Sequence, residues 1–316
     1  MHWIKEFVDN AFPLNSKDVD LESAFTLKDI NIPSSLFKYR DVNESSVKNL
    51  TDSTIWLADP KDFNDPYDCT HTIDAKKIFE STFAPTIEKL INSSKSDMTL
   101  TPDQMDRLRK VTDSYEHVID IILEGENESS KDLFRDASFK LQSALYDKLT
   151  GESSDMLSRS FKLCSFSAKN DSMLMWSHYA NYHKGFCIEY DFDVYTKDDY
   201  RRRFIYPVVY TNKLFDATEH YVNGASEYSN NLHLTLAALI KSDVWRYEKE
   251  WRLIFAHNMC PERCAYPMRK TKAVYFGANI SRSDKDVLIK ICSNKNIKMY
   301  QMKIHKCEFR LIPDEL

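Results

Sequence analysis

Glycine is scarce in this chain. The 316 residues include five glycines, whereas average usage of about 7% would supply roughly four times as many. These five are too widely spaced to form a Gly-rich phosphate-binding loop of the Rossmann or Walker kind; they are Gly125, Gly151, Gly185, Gly224 and Gly277. Any nucleotide that this protein binds must therefore be held in another way.

Long apolar runs are also missing. Nowhere do the roughly 18 consecutive apolar residues of a membrane helix occur. Lys5 and Glu6 place charges where a signal peptide needs an apolar core. We therefore expect a cytoplasmic protein without a membrane segment. The net charge of -5 excludes a globally basic nucleic-acid binder, although a local basic groove would not show in that total.

Cysteine usage argues against disulfides and against a metal. The seven cysteines are an odd number scattered through apolar surroundings, which is typical of reduced core residues. Cys260 and Cys264 are the one close pair and could supply half a zinc site. Because zinc needs four ligands and no second Cys/His pair has a useful spacing, no metal site is expected.

Secondary-structure patterns predict an α+β chain with a mostly antiparallel sheet. Short alternating or apolar runs predict strands at 35–40, 161–167, 186–191 and 250–256, and strands outnumber the helices between them in the second half. A long helix is predicted over Tyr228–Trp245.

Helical periodicity divides the first half of the chain. Residues 1–34 are predicted to form an N-terminal helical segment. Residues 35–316 are predicted to form a catalytic-like α+β domain, interrupted by a helical insertion over 72–160.

Two carboxylates set two apart, Glu248 and Glu250, precede an apolar run. In an extended segment they would share a face. Such a pair needs either cationic partners, with Arg246 and Arg252 the nearest, or a task that requires one raised pKa. A salt-bridged strand edge and a functional pair are equally compatible with these residues.

Two further stretches combine polar and aromatic side chains. Asn64 and Asp65 lie between prolines, where turn chemistry would present them rigidly. Trp176, Tyr179 and His183 fall at i, i+3 and i+7 of a predicted helix that Gly185 ends. This stripe suits packing and function equally well, since its polar groups would each need a buried partner.

Four motifs together resemble a large bacterial family carried as a domain of unknown function, over about 36–276. They are Lys38–Arg40 (KYR), Phe63–Asp68 (FNDPYD), Met175–Phe186 (MWSHYA, then HKGF) and Tyr247–Arg252 (YEKEWR). That family in turn resembles the ADP-ribosyltransferases, including the DarT-like toxins. The resemblance implies a toxin or phage-defence effector with a split, mostly antiparallel sheet of ADP-ribosyltransferase-like type, which binds NAD without a Gly-rich loop.

The resemblance also assigns site residues. Arg40 matches the first ADP-ribosyltransferase signature, Trp176, His178 or Tyr179 the second, and Glu250 the third, with Glu248 two residues before it. The second signature lies on a predicted helix here, whereas the family carries it on a strand. The residues expected to bind NAD are Arg40, Tyr39, Asn64, Trp176, His178, Tyr179, His183 and Arg252.

The implied reaction is cleavage of the nicotinamide–ribose bond, which builds oxocarbenium-like charge on the sugar. Glu250 is expected to stabilise this charge, and Glu248 is expected to hold or activate the acceptor. The acceptor could be a protein, a nucleic acid, a small molecule or water, so the expected enzyme is an ADP-ribosyltransferase or an NAD glycohydrolase. An antitoxin or a defence partner is also expected. Replacing either glutamate by glutamine is not expected to unfold the protein.

Two alternatives stay open. One is a non-catalytic nucleotide- or protein-binding module of a defence system. The other is a Mg-dependent nuclease, in which Asp65, Asp68, Glu248 and Glu250 would hold the metal.

Overall fold

Fourteen strands and a set of helices make up the described part of the chain. The computed structural model describes residues 2–78, 81, 101–110, 115–125, 127–223, 227–259 and 264–316. The strands are β1 (Ser35–Arg40), β2 (Thr54–Trp56), β3 (His71–Thr72), β4 (Phe161–Ser167), β5 (Phe186–Asp191), β6 (Ile205–Pro207), β7 (Val209–Thr211), β8 (Phe215–Asp216), β9 (Ile240–Ser242), β10 (Glu250–Ala256), β11 (Ala265–Pro267), β12 (Thr271–Phe276), β13 (Lys298–Ile304) and β14 (Leu311–Glu315).

Helices lie between these strands. The described α-helices are His2–Ala11, Leu21–Asn31, Glu44–Asp52, Pro102–Lys110, Tyr115–Ile122, Glu128–Ser160, Met173–Tyr179, Tyr200–Arg203, Thr218–Asn223 and Arg282–Asn294. Short 3-10 helices cover Ser16–Asp18, Pro60–Asp62, Asn231–Ala238, Asp243–Glu248 and His257–Met259.

Eight strands form the main sheet in the order β14-β13-β12-β5-β1-β4-β10-β6. Its pairs are antiparallel except for β12 and β13. The expected α+β class with a large, mostly antiparallel sheet is therefore confirmed.

The sheet is weakest between β1 and β4. These strands pair at one position, Phe37 opposite Ser167. On its other side, β4 pairs with β10 along all of β10, from Glu250 to Ala256. Side chains can therefore enter between β1 and β4 at a point where the sheet would otherwise be closed.

Side chains alternate between the two faces of the main sheet, and each face packs in an apolar layer. Leu36, Ile188 and Leu253 are buried in one layer beneath Leu288 of the helix Arg282–Asn294. The other layer is divided into two clusters. Leu163 and Ile254 pack with the N-terminal helices, and Tyr39 and Cys187 pack with Trp176. This second layer carries the cavity described below.

The N-terminal segment is part of the core. Phe7 and Ala24 are fully buried and pack in the cluster that contains Ile254. Trp3 stacks on Trp251 of β10 with ring centroids 6.1 Å apart. Residues 1–34 are helical as expected in their described part, and they cover one face of the sheet.

The predicted helix over Tyr228–Trp245 is wrong. A 3-10 helix occupies Asn231–Ala238, and β9 follows in parallel pairing with β7. A second 3-10 helix, Asp243–Glu248, leads to Lys249, whose φ of 48° turns the chain into β10. The ladder with β7 and the ion pairs of Lys241 described below outweigh the helical periodicity.

The predicted insertion over 72–160 is helical in most of its described part. The helices Pro102–Lys110, Tyr115–Ile122 and Glu128–Ser160 lie there, and Val118, Ile119 and Ile122 form a small apolar cluster of their own. Residues 79–80, 82–100, 111–114 and 126 lie outside the described residues. Among the described helices, none combines the length and apolar character needed to cross a membrane.

Lys28 is an unusual buried cation. It is 1% exposed, and its Nζ donates to the carbonyl oxygens of Arg202, at 2.9 Å, and Arg203. Burial lowers the pKa of Lys28 to about 7, with Arg202 and Arg203 acting in the same direction and Asp29 opposing them. The folded protein therefore favours the neutral amine.

Lys28→Met should remove a pH dependence of stability. Between pH 7 and 10.5 the unfolded chain binds a proton that folded Lys28 has released, so the free energy of unfolding rises with pH by up to about 1.4 kcal/mol per unit. Urea unfolding of wild type and variant at pH 7 and 9 measures the difference in slope. The exposed control Lys5→Met should follow wild type, and a Lys28→Met slope equal to wild type would contradict the assignment.

Candidate active site

A cavity of about 360 Å³ opens where β1 and β4 part. Its other walls are the helix Met173–Tyr179, the loop after Pro60–Asp62 and the turn before β10. The lining residues are Phe37, Lys38, Tyr39, Asp62, Phe63, Asn64, Asp68, Ser165, Phe166, Ser167, Met175, His178, Tyr179, Lys241, Glu248 and Glu250.

Backbone geometry brings the two glutamates to this cavity. Glu248 ends a 3-10 helix and Glu250 begins β10, with the left-handed Lys249 between them. The Ser167 hydroxyl donates to the Glu248 carbonyl at 2.6 Å, and the Glu250 amide donates to the Tyr210 hydroxyl at 2.8 Å. Both carboxylates converge on Lys241, because the chain turns at Lys249 between them.

Arg252 anchors the site from behind. Its Nε and Nη2 donate to the two Glu250 oxygens at 2.8 and 3.1 Å. Its Nη1 and Nη2 donate to the two Asp68 oxygens at 2.7 Å each, and Nη1 also donates to the Ala238 carbonyl at 2.7 Å. A guanidinium has five N–H donors, so Arg252, which is 0% exposed, keeps none for a ligand.

The two glutamates differ in how fully their oxygens are used. Glu250 accepts twice from Arg252, once from Lys241 at 2.9 Å and once from the Ser165 side chain. These hydrogen bonds occupy the roughly four acceptor positions of a carboxylate. Within the described part of the chain, Glu248 accepts from Tyr179 at 2.7 Å and Lys241 at 2.6 Å. Glu248 therefore retains acceptor capacity at the cavity wall.

Their pKa values move in opposite directions. For Glu250, burial favours the neutral form, but the charges of Arg252 and Lys241 outweigh it and hold the pKa well below the usual range. For Glu248, burial and the neighbouring Glu250 raise the pKa, against the opposing effects of Lys241 and Tyr179. Glu250 is thus the fixed charge, and Glu248 is the group that can exchange a proton.

Lys38 and Lys241, which both line the cavity, also have pKa values that move in opposite directions. Lys241 lies within 3.5 Å of Asp68, Glu248 and Glu250; burial lowers its pKa, but these carboxylates more than compensate and the net shift is upward. Lys38 Nζ donates to the Ser165 carbonyl at 2.7 Å, and burial lowers its pKa.

The structure brings together part of the expected site. Six expected residues line the cavity: Tyr39, Asn64, His178, Tyr179, Glu248 and Glu250. Four do not line it: Arg40, Trp176, His183 and Arg252.

Arg40 is displaced by strand alternation. Tyr39 and Arg40 are successive residues of β1 and point to opposite faces of the sheet. Tyr39 packs in the cluster with Trp176 on the cavity side, whereas the charge of Arg40 acts on Tyr190 in the opposite layer. Arg40 therefore does not line the cavity that contains Glu250.

Trp176 and His183 support the cavity wall from behind. The helix ends at Tyr179 and not at Gly185, because Asn181, Tyr182 and His183 all have positive φ. This turn stacks the His183 ring on Trp176, at 6.4 Å between centroids. Trp176 is 0% exposed, donates to the Asn170 carbonyl and meets the Tyr39 ring edge-on at 5.3 Å.

Sequence reasoning missed Lys38, Lys241, Ser165 and Ser167 as site residues. No local sequence pattern marks Lys241 as a site residue, since it lies inside the predicted helix Tyr228–Trp245. A weak pattern does mark Lys38. A lysine between Phe37 and Tyr39 in a strand is expected to be partly buried, and its amine then needs a polar partner inside the protein.

The carboxylates of the nuclease alternative already have cationic partners. Arg252 holds Asp68 and Glu250, and Lys241 bridges Glu248 and Glu250. Asp65 does not line the cavity and accepts from the Tyr67 amide. These residues fit protein cations better than a divalent metal.

The described cysteines are free thiols, and Cys69, Cys164, Cys187 and Cys292 are buried. Cys260 lies outside the described residues, so the Cys260/Cys264 pair remains a sequence observation.

Residues 175–253 match the family described as "Protein of unknown function (DUF2971)". The match contains the third and fourth motifs, Met175–Phe186 and Tyr247–Arg252, so the resemblance to an uncharacterised family is supported there. No curated protein and no solved structure matches the chain.

Glu250→Gln should destabilise the protein more than Glu248→Gln, contrary to the expectation from sequence. The first change leaves the buried charges of Arg252 and Lys241 undercompensated, which typically costs about 3–5 kcal/mol. The second removes a carboxylate that burial and Glu250 already disfavour, so its cost should be about 1 kcal/mol or less. Urea unfolding at pH 7 compares them, and equal losses would contradict this difference.

Proposed function

We propose that the cavity cleaves the nicotinamide–ribose bond of NAD, as an ADP-ribosyltransferase or an NAD glycohydrolase. The observation that carries this proposal is the division between Glu248 and Glu250. One carboxylate is saturated and held ionised, and the other retains acceptor capacity and has a raised pKa. Pairs whose pKa values are pushed apart are characteristic of sites that cleave glycosidic bonds.

The chemistry follows from charge. As the bond to nicotinamide breaks, positive charge develops on the ribose, and an oriented carboxylate lowers the energy of that state. Glu248 is held by Tyr179 and Lys241, so it needs little reorganisation to accept a hydrogen bond from a ribose hydroxyl. Glu250 contributes its permanent negative charge from behind. We therefore assign the contact with the sugar to Glu248 and not, as expected from sequence, to Glu250.

The walls suit the rest of the ligand. Phe37, Tyr39, Phe63 and Tyr179 supply aromatic groups for a nicotinamide ring. A volume of about 360 Å³ is small for a dinucleotide, so the adenosine half would extend past the exposed His178 and Asn64. The gap between β1 and β4 supports the finer proposal of a split sheet of ADP-ribosyltransferase-like type, which needs no Gly-rich loop.

The acceptor would approach from the same open side, where His178 lies against Trp245 and Tyr247. Protein, nucleic acid and water all remain acceptors under this proposal. A toxin or phage-defence role and an antitoxin or defence partner are predictions from the resemblance alone, and a cytoplasmic location is a prediction from the sequence composition.

Glu248→Gln should lower nicotinamide release by a factor of about 10² to 10³, the usual cost of removing one preorganised electrostatic partner. Purified protein would be assayed with NAD in cell lysate, with and without EDTA. The control is Glu189→Gln, a buried carboxylate bonded to Ser35 and Tyr275 away from the cavity, which should stay near wild type.

Two further measurements on the same purified protein, of nucleic-acid cleavage and of NAD binding, test the alternatives. Nucleic-acid cleavage abolished by EDTA would favour the nuclease. A wild type that binds NAD but never consumes it would favour the binding module.

The pH profile should report Glu248. Its ionised form is the active one, so kcat/KM should rise with pH through a pKa above the ordinary 4.5 of a glutamate. Tyr179→Phe removes a hydrogen bond that stabilises the ionised form, and the acidic limb should move to higher pH. A limb that stays in place after this change would contradict the assignment to Glu248.

A further inference from the structure

The cavity contains two lysines with opposite surroundings. Lys241 contacts three carboxylates, which keep its amine protonated. The hydrogen-bond acceptor of Lys38 is a neutral backbone carbonyl, that of Ser165. Both lysines line the same cavity, and Lys241 is the more deeply buried of the two.

The break in sheet pairing explains the position of Lys38. If the β1–β4 ladder continued beyond Phe37 and Ser167, Tyr39 would lie opposite Ser165. The ladder stops there, and the Lys38 amine takes the Ser165 carbonyl that a strand amide would otherwise have bonded. Lys38 is partly accessible, at the wall of the cavity.

The charged and titratable groups around this amine leave its pKa below the usual value of a lysine. Burial is the main influence and lowers the pKa of Lys38, and the positive charge of Arg40 acts in the same direction. Cys164 and Glu250 oppose them without reversing the shift. Glu250 is already saturated by Arg252, Lys241 and Ser165, so it offers Lys38 little stabilisation.

We propose that Lys38 is a nucleophilic amine that forms an imine with a carbonyl-bearing ligand in this cavity. The Nζ lone pair adds to the carbonyl carbon, the resulting carbinolamine loses water after protonation of its hydroxyl, and a C=N bond remains. Glu248, which can hold a proton at the same cavity, serves as the acid. Hydrolysis reverses the step, and no oxidant or cofactor is required.

The proposed function, on which this step rests, would itself produce one carbonyl compound. Cleavage by water of the nicotinamide–ribose bond leaves an anomeric hydroxyl, whose ring-opened form is an aldehyde. Lys38 would capture that aldehyde before release. The imine would make ADP-ribose a slowly leaving product.

Reductive trapping tests the amine directly. The full chain is treated with benzaldehyde, whose ring suits the aromatic walls, and cyanoborohydride at pH 7, and each labelled lysine is identified by peptide mass spectrometry. Each unit by which a pKa is lowered raises the neutral fraction about tenfold, so Lys38 should be labelled at least about tenfold faster than Lys241. The exposed Lys5 reports ordinary surface reactivity.

Lys241 is an internal comparison in the same sample, since it lines the same cavity but is held by three carboxylates. Labelling of Lys38 no faster than that of Lys241 or Lys5 would overturn the proposal. In Lys38→Arg the fast labelling should vanish while that of Lys5 stays unchanged; persistence of fast labelling elsewhere in the cavity would also overturn it.

A second arm replaces benzaldehyde with NAD. An ADP-ribose adduct on Lys38 supports both the imine and NAD cleavage. A benzaldehyde adduct without NAD consumption supports the amine and counts against the proposed function. NAD consumption without either adduct supports the proposed function and overturns the role of Lys38.

Discussion

The site depends on the five N–H donors of Arg252, all of which are engaged. A guanidinium buried this deeply is stable only when its charge and its donors are all matched. Asp68 and Glu250 supply the charge, and the Ala238 carbonyl takes the last donor. One side chain thereby joins the loop after Pro60–Asp62, the 3-10 segment ending at Ala238 and the first residue of β10, which together form one side of the cavity.

This anchor creates the chemical asymmetry beside it. Three carboxylates, Asp68, Glu248 and Glu250, share two cations, Lys241 and Arg252. Because Arg252 commits both of its bidentate faces, the shortfall of positive charge falls on Glu248, which has Lys241 as its cationic partner. The raised pKa of Glu248 and the low pKa of Glu250 are thus two consequences of the same geometry, and Glu250 serves the site mainly as a fixed charge.

The cavity itself exists because the ladder between β1 and β4 stops after one pair. Strand edges normally satisfy each other's carbonyl and amide groups, and here the Lys38 amine takes that place at Ser165. The same break that admits a ligand therefore also brings an amine into the cavity. Trp176 and His183 do not line the cavity. They support its wall, because Trp176 packs against Tyr39 and His183 stacks on Trp176.

Local patterns in the sequence determined the main strands and the helical N-terminal segment, because alternation and periodicity are properties of adjacent residues. They also singled out Glu248, Glu250 and Tyr179. Partnerships across the chain were beyond them. Asp68 meets Arg252 and Lys241 meets both glutamates only through tertiary contacts, and those contacts replaced a predicted helix around Lys241. Arg40 does not line the cavity. Its side chain lies on the face of β1 opposite Tyr39, and only the packed sheet decides that Lys38, and not Arg40, reaches the gap between β1 and β4 from that face.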